Sequence, residues 1–444
     1  MISWIKSKLT KHHQDCDGVS NDPVIIRRAE HGISRSNIDE PALKVLYRLH
    51  KAGYQACLVG GAVRDLLLGR HPKDFDVATD ATPEQVNKLF RNSRLIGRRF
   101  RLAHIQFGRQ IIEVATFRAP HGETHEEHHD ESGRILRDNV YGEIHDDVWR
   151  RDFTANALYY NIADFSVIDY VGGVEDIANK RLRLIGDQET RYREDPVRML
   201  RAIRFASKLD FSIDDTCRQA ILELGPLLAD IPASRLFEEV LKLFHSGHAE
   251  ESFIALQEYN LLRYLFPDAM PSLEDPTTYA FVTLAMHSTD QRVRVDKPVT
   301  PAFLFAALLW VPVMKQTQVN VEAGMPYSLA LQKAATKLIS HQVRYVSIPK
   351  RFSTVMRDIW SLQTRFRHHS GRRAYSLLHH PKFRAAYDFL CLRANAGETD
   401  VDHCRWWTEL QEKDPEQQKK ILSAVEPGTS RRRNRPRRNK GGTH

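Results

Sequence analysis

Two aspartates one residue apart, Asp74 and Asp76 in the run Lys73-Asp74-Phe75-Asp76-Val77, are the side chains of this sequence best spaced for chemistry. On an extended segment alternate residues share a face, which sets the two carboxylates about 7 Å apart along the backbone. That spacing suits two hard cations with oxygen ligands. A third carboxylate has two candidates. In Ile111-Ile112-Glu113-Val114-Ala115, alternation puts Glu113 on one face with Ile111 and Ala115, an acid where the pattern wants an apolar residue. If that strand lies beside the strand of Asp76, Glu113 completes a cluster. Asp152, in Arg150-Arg151-Asp152-Phe153-Thr154-Ala155-Asn156, is the other candidate, though its arginine neighbours equally suggest an ion pair fixing a strand-to-helix junction. Two Mg²⁺ ions held by Asp74, Asp76 and Glu113 would acidify a hydroxyl, polarise a phosphate and stabilise a pyrophosphate leaving group.

The elements that must hold these residues are legible around them. Upstream, Leu58-Val59-Gly60-Gly61-Ala62-Val63-Arg64-Asp65-Leu66-Leu67-Leu68-Gly69 reads as strand, tight turn and helix. A glycine pair at a helix mouth exposes backbone N–H groups that a phosphate can approach without meeting a Cβ. Before it, Ile38-Asp39-Glu40-Pro41 and the apolar positions Ala42, Leu43, Leu46 and Leu49 predict a helix closed at Gly53. After it, Thr82-Pro83-Glu84-Gln85 is a helix start with cap, first-turn proline and capping-box partner. Leu102 to Phe107 and Ile111 to Phe117 read as two strands joined near Gly108, and Tyr159 to Ile162 and Val167 to Tyr170 as another pair. The stretch from Pro120 to Gly133 mixes His121, His125, His128 and His129 with acids; a mobile loop is the expected reading over a metal site. Beyond Gly173 helical signals dominate. Arg198, Arg201 and Arg204 form a slanting basic stripe next to Asp195 and Pro196, and Arg235 with Glu238 and Glu239 opens another amphipathic helix.

Composition sets the outer bounds. The chain has 444 residues, 42% of them apolar, enough for a sizeable core and two to four domains. No secretory signal is visible at the start, and the longest apolar run, Ala302 to Val311, stops at Pro312 and is too short to cross a bilayer. The expected location is cytoplasmic. Five scattered cysteines without metal-ligand spacing fit reduced thiols better than a disulfide frame. The net charge is +9, but Arg431, Arg432, Arg433, Arg435, Arg437, Arg438 and Lys440 supply seven charges after the last acid, Glu426, leaving +2 for the rest. Such a tail suits phosphate backbones. Residues 1–36 read as a mobile extension in which Ile2, Ile5 and Leu9 make one weak apolar stripe that could touch a membrane or partner.

The order Gly60-Gly61-x-x-Arg64-Asp65, then Asp74-x-Asp76, resembles the signature of the class II nucleotidyltransferases that build RNA 3′ ends, the bacterial poly(A) polymerases and CCA-adding enzymes. The resemblance spans about residues 37 to 245. It implies a small mixed α/β head followed by an all-helical neck, body and C-terminal region, divided here as 37–165 catalytic head, 166–245 neck, 246–422 body and RNA-binding region, and 423–444 disordered basic tail. It further implies that Gly60, Gly61 and Arg64 cradle a triphosphate, that Asp74 and Asp76 bind metal, and that Arg151, Asp152 and Asn156 serve the ribose and inner wall. Asp195, Arg198, Arg201 and Arg204 would face the base and phosphates. Within the family, Leu95-Ile96-Gly97-Arg98-Arg99-Phe100-Arg101-Leu102-Ala103-His104-Ile105 looks like a stretch of the poly(A) polymerases, and the arginine tail suits an enzyme gripping unrelated RNA ends. The expected activity is template-independent addition of AMP from ATP to RNA 3′ ends, tied to RNA processing and decay, with decay proteins as possible partners. A CCA-adding enzyme, and a non-catalytic RNA-binding protein of the same fold, remain the alternatives.

Overall fold

The computed structural model describes residues 22–97, 101–119 and 141–423. The expectations for Ile2, Ile5 and Leu9, for Arg98 and Arg99, for the His- and Glu-rich stretch 120–133 and for the terminal arginines lie outside the described residues. Two compact units make up the chain: Met1–Arg235 with Ile254–Tyr264, and Leu236–Phe253 with Leu265–His444.

An eight-stranded mixed sheet organises the first unit. Its strands are β1 (Val24–Ile26), β2 (Ala56–Val59), β3 (Asp76–Thr79), β4 (Ser93–Ile96), β5 (Leu102–Phe107), β6 (Gln110–Thr116), β7 (Leu158–Asn161) and β8 (Val167–Asp169). They lie in the order β1-β8-β7-β2-β3-β6-β5-β4. Central β2 is apolar at every position, Ala56, Cys57, Leu58 and Val59, and is buried throughout, as a strand covered on both faces must be. β2 runs antiparallel to β3 with Leu58 opposite Val77, so the turn that leaves β2 emerges beside the segment that enters β3. β3 runs parallel to β6 with Asp76 opposite Glu113. Register alone therefore gathers the glycine turn, Asp76 and Glu113 at one end of the sheet.

Several local expectations change. Glu113 does not interrupt an apolar face: Ile112, Val114 and Thr116 face the core, while Ile111 and Glu113 lie on the open side of β6. Residues 24–26, read as part of a mobile extension, form β1 against β8. In both cases pairing partners distant in sequence decide the outcome. The predicted helix after Asp39 runs from Glu40 to Lys51. Its counterpart at Pro83–Leu89 carries the full Thr82–Gln85 capping box.

The packing around Gly173 leaves no room for a side chain. A Cβ at Gly173 would lie 2.2 Å from the Thr154 carbonyl oxygen, a backbone atom that can yield only by moving the 3₁₀ turn Thr154–Asn156. We expect Gly173→Ala to cost about 3 kcal/mol, read as a loss of several degrees in Tm with a parallel loss of activity through Asn156.

The second unit is helical. Its longest helix, Pro301–Glu322, packs against Tyr327–Gln342 and Lys350–Gln363. It passes through Pro312 rather than ending there. A proline deletes one backbone hydrogen bond, and the buried Leu308, Leu309, Trp310 and Val313 on both sides hold the two halves in the core regardless. The helix is thus long and apolar enough to cross a membrane by length and composition, but more than half of that stretch is buried inside the unit. The cysteine expectation is also corrected. Cys391 and Cys404 form a disulfide, with Cα atoms 5.2 Å apart, because helices Phe383–Asn395 and Val401–Gln411 pack side by side. Cys57 and Cys217 are free and buried.

Candidate active site

The end of the sheet where β2 and β3 meet opens into a cavity of about 610 Å³. Gly60 forms its floor at φ +69° and ψ −127°, a conformation that L side chains avoid, and Gly61 begins the short helix Gly61–Leu67. A Cβ at Gly60 would approach Arg151 Nη1 and the Asn156 carbonyl oxygen to 3.4 Å, so the backbone itself is the wall here. Asp74 and Asp76 line the same cavity. So do Arg64, Arg151, Asp152, Asn156, Asp195, Arg198, Arg201 and Arg204, which brings twelve of the sequence-predicted positions into one space.

Behind the surface runs a chain of charge-assisted hydrogen bonds. Arg64, nearly fully buried, donates through Nε (2.9 Å) and Nη2 (2.7 Å) to Asp65 and through Nη1 to Asn156 Oδ1. Asn156 Nδ2 donates to Asp152 Oδ1 at 3.2 Å. Asp152 Oδ2 receives a two-pronged contact from Arg201, and its Oδ1 also takes the Phe153 N–H at 2.8 Å. Burial works against the charge of Asp152, but Arg201 and the other donors outweigh it and hold its pKa below the usual carboxylate range. Asp152 thus has its oxygens committed to protein partners.

A second cluster secures the neighbouring arginine. Arg151 Nε donates to Tyr159 (2.8 Å), Nη2 donates to Asp147 (2.8 Å), and the Tyr159 hydroxyl donates to Asp147 (2.6 Å). Asp195, at the head of helix Val197–Leu209, accepts the Val197 N–H at 3.2 Å and Arg235 Nη2 at 2.7 Å. Its capping part and any base contact are compatible, since the carboxylate keeps further lone pairs. Arg198 donates to Glu194 (3.1 Å) and to the Arg191 carbonyl (2.7 Å).

The carboxylate end is electrostatically strained. Burial first, then the charges of Glu113 and Asp74, push Asp76 up to about 6, against the opposing pull of Arg151. Asp76 is exposed to solvent through the cavity, while protein atoms packed around its carboxylate still desolvate it. A carboxylate whose pKa is raised by burial and by neighbouring acids is the kind a divalent cation relieves. Among the described residues no three His, Cys, Asp or Glu side chains converge as a finished metal cage. Glu113 stands opposite Asp76 in register but does not line the cavity, and its side chain lies 3.2 Å from His104 Nε2. The residues present fit Mg²⁺ if substrate and water oxygens complete the shell.

The sign of the resulting pH effect is fixed. The folded pKa of Asp76 lies above its ordinary value, so the metal-free protein loses stability as pH rises from about 4 to about 6. We expect carboxyl NMR of the metal-free protein to show Asp76 titrating near pH 6, with the midpoint lowered in Glu113→Gln. An Asp76 midpoint near 4 would contradict this arrangement.

Sequence reasoning passed over Lys73, Asp65, Arg150, Phe205 and Lys208, all of which line the cavity. Lys208 was within reach, because extending the stripe of Arg201 and Arg204 by one further turn leads to it. Burial, with Arg64, Arg204 and Arg70 nearby, lowers its pKa against the opposing pull of Asp65.

The chain is similar to several known proteins. Residues 56–183 match the poly A polymerase head domain, residues 210–273 the segment described as "Probable RNA and SrmB- binding site of polymerase A", and residues 323–440 the polymerase A arginine-rich C-terminus. Poly(A) polymerase I of Salmonella typhimurium is 50% identical over 427 residues, covering 94% of this chain and 92% of that protein. Its Haemophilus influenzae counterpart is 44% identical, covering 94% and 95%. A CCA-adding enzyme of Lactobacillus helveticus is 38% identical over 48% of this chain and 51% of its own length. Among solved structures, the Bacillus stearothermophilus CCA-adding enzyme in complex with CTP aligns with a TM-score of 0.56 at 25% identity, covering 84% of each chain.

Proposed function

This chain belongs to the bacterial poly(A) polymerase family of nucleotidyltransferases, and on that premise we propose that it extends RNA 3′ ends with AMP from ATP by two-metal catalysis, without a template. The observation that carries the reading is the cavity in which Asp74 and the electrostatically strained Asp76 share a wall with arginines and Lys208. Asp74 and Asp76, with Glu113 beside Asp76, would hold two Mg²⁺ ions. When bound, these supply Lewis acidity toward the phosphate, the attacking 3′-hydroxyl and the departing pyrophosphate.

The protein's own groups do the rest. Arg201, Arg204 and Lys208 neutralise the triphosphate, and the turn at Gly60 lets it approach the backbone. Asp152 acts as a positioning residue that aims Arg201 and Asn156, and Glu113, opposite Asp76 in register, is the remaining candidate for a third carboxylate. Asp195 accepts from the adenine amine while Arg198 donates to the adjacent ring nitrogen, each held by its own partners, Arg235 and Glu194. Arg431, Arg432, Arg433, Arg435, Arg437 and Arg438 add affinity that ignores sequence. The division of labour is a catalytic head and neck over 37–245 and an RNA-holding region over 246–444, acting in the cytoplasm on RNAs bound for processing or decay, where decay proteins are natural partners.

The test is incubation with Mg²⁺, a generic RNA oligonucleotide and each nucleoside triphosphate singly, beside a tRNA lacking its terminal CCA. A long ladder on the generic RNA with ATP alone is expected. A short addition confined to the tRNA and requiring CTP would replace this reading with the CCA-adding one.

A further inference from the structure

The region over 246–444 proposed above to hold RNA includes, in the second unit, a basic surface distinct from the terminal arginines. Between Asp358 and Asp388 the sequence has no acid, yet it has Arg365, Arg367, Arg372, Arg373, Lys382 and Arg384. Arg367, Arg372 and Arg373 are exposed, and among the described residues no carboxylate pairs with them or with Arg365. Folding joins them into one surface: Arg365, in the 3₁₀ turn Thr364–Arg367, donates to Ser376 of helix Gly371–Leu378 at 3.3 Å. Two tyrosines lie within it. Tyr375 is 47% exposed, and its ring stands 4.2 Å from that of His379. Tyr327 is 39% exposed and lies within the field of Arg367 and Arg393.

Beside this surface is a second cavity of about 610 Å³, formed by helices Tyr327–Gln342 and Lys350–Gln363. Arg365 and Tyr327 belong to both the basic surface and the cavity wall. Arg357 enters the wall with its Nη1 donating to Thr336 at 2.7 Å, and the remaining lining is mostly apolar or hydroxylic. Asp358 is the single carboxylate among the described lining residues. It disfavours a bare polyanion inside the cavity and suits a ribose hydroxyl or an exocyclic amine. Unpaired arginines outside and an aromatic, half-apolar recess inside are together the requirements of a single strand with one unstacked nucleoside.

We propose that this face binds single-stranded RNA, its phosphates on Arg365, Arg367, Arg372 and Arg373 and one nucleoside in the cavity against Tyr327. The site lies outside residues 210–273 and, within the 323–440 match to the arginine-rich C-terminus, ahead of the terminal arginines; it rests on RNA being the substrate. A free nucleotide would offer the cavity the same nucleoside chemistry, so the experiment separates the two sources.

The full chain is compared with the triple variant Arg367→Gln/Arg372→Gln/Arg373→Gln and, separately, Tyr327→Ala, with folding verified by circular dichroism. Affinity for a labelled 12-nucleotide RNA is measured by anisotropy from 50 to 300 mM salt, with and without millimolar ATP, alongside the AMP-addition rate at saturating RNA. The triple variant should bind at least about tenfold more weakly, with the log-log salt slope reduced by roughly two, about 0.7 for each lost contact. Tyr327→Ala should bind about tenfold more weakly with its slope unchanged. Saturated rates should match the unaltered chain. Unchanged affinity and slope in these variants, in a protein that still adds AMP, overturns the site. Competition by ATP that Tyr327→Ala abolishes, with RNA binding intact, assigns the cavity to a free nucleotide and likewise overturns it. RNA binding that responds as stated in a chain that adds no AMP leaves the site standing and removes the catalytic reading instead.

Discussion

Asp76→Asn lowers AMP addition by at least about 10³-fold, and Asp74→Asn does the same, while RNA affinity and Tm hold. The size follows from what is lost: each variant removes one anionic ligand of the expected metal site, and such a centre supplies several kcal/mol toward the developing charge, at 1.36 kcal/mol per factor of ten. The stability arm has a definite sign. The pKa of Asp76 is raised to about 6 by burial and by Glu113 and Asp74. Its charge therefore opposes folding at pH 8, and Asn in its place leaves the metal-free protein no less stable. Mg²⁺ should raise the Tm of the unaltered chain and do so much less for either variant. A matched loss of RNA binding, Tm and activity would mean that these carboxylates serve the fold.

Arg201→Ala is expected to cost about 3 kcal/mol of stability and at least about 10²-fold in kcat/KM. The guanidinium makes the two-pronged contact with Asp152, whose side chain is only 11% exposed, and its removal strands a buried charge. It also frees Asn156, and through it Arg64, which the same chain of hydrogen bonds aligns. The pKa of Asp152 is held below the ordinary value, so the pair's contribution is complete above about pH 4 and lost as pH falls through the folded value. The stability gap between Arg201→Ala and the unaltered chain should accordingly narrow in acid. Adding Asp152→Asn should recover much of the stability without the activity, because the orphan charge is gone but Asn156 still lacks its anchor. Lys at 201 should rescue little, since an ammonium cannot make the two-pronged contact.

Much of the cavity lining was legible because its motifs are local. Gly60-Gly61 at the end of an apolar strand, Asp74-x-Asp76 at the start of another, and the Arg198-Arg201-Arg204 stripe are each set by short-range periodicity and turn chemistry. The Thr82–Gln85 box and the helix after Asp39 were legible for the same reason. Residues 24–26 were not, because an edge strand of three residues exists only by virtue of the partner it meets at 167–169. The face of Glu113 was misread because alternation gives two faces without saying which one meets the core. The Cys391–Cys404 bond escaped a spacing rule, since it depends on how two helices pack.

The sequence by itself determined the residue types that can do this chemistry, the short elements that carry them, and the family, since those depend on neighbours within a turn or two. Only the tertiary structure decided that Glu113 stands opposite Asp76, that Asp152 is tied to Arg201 from 49 residues away, and that Arg365 and Tyr327 line one cavity. Strand register and helix packing are many-body choices, made by whichever arrangement buries the apolar surface while pairing every buried charge, and no single stretch of chain contains that information.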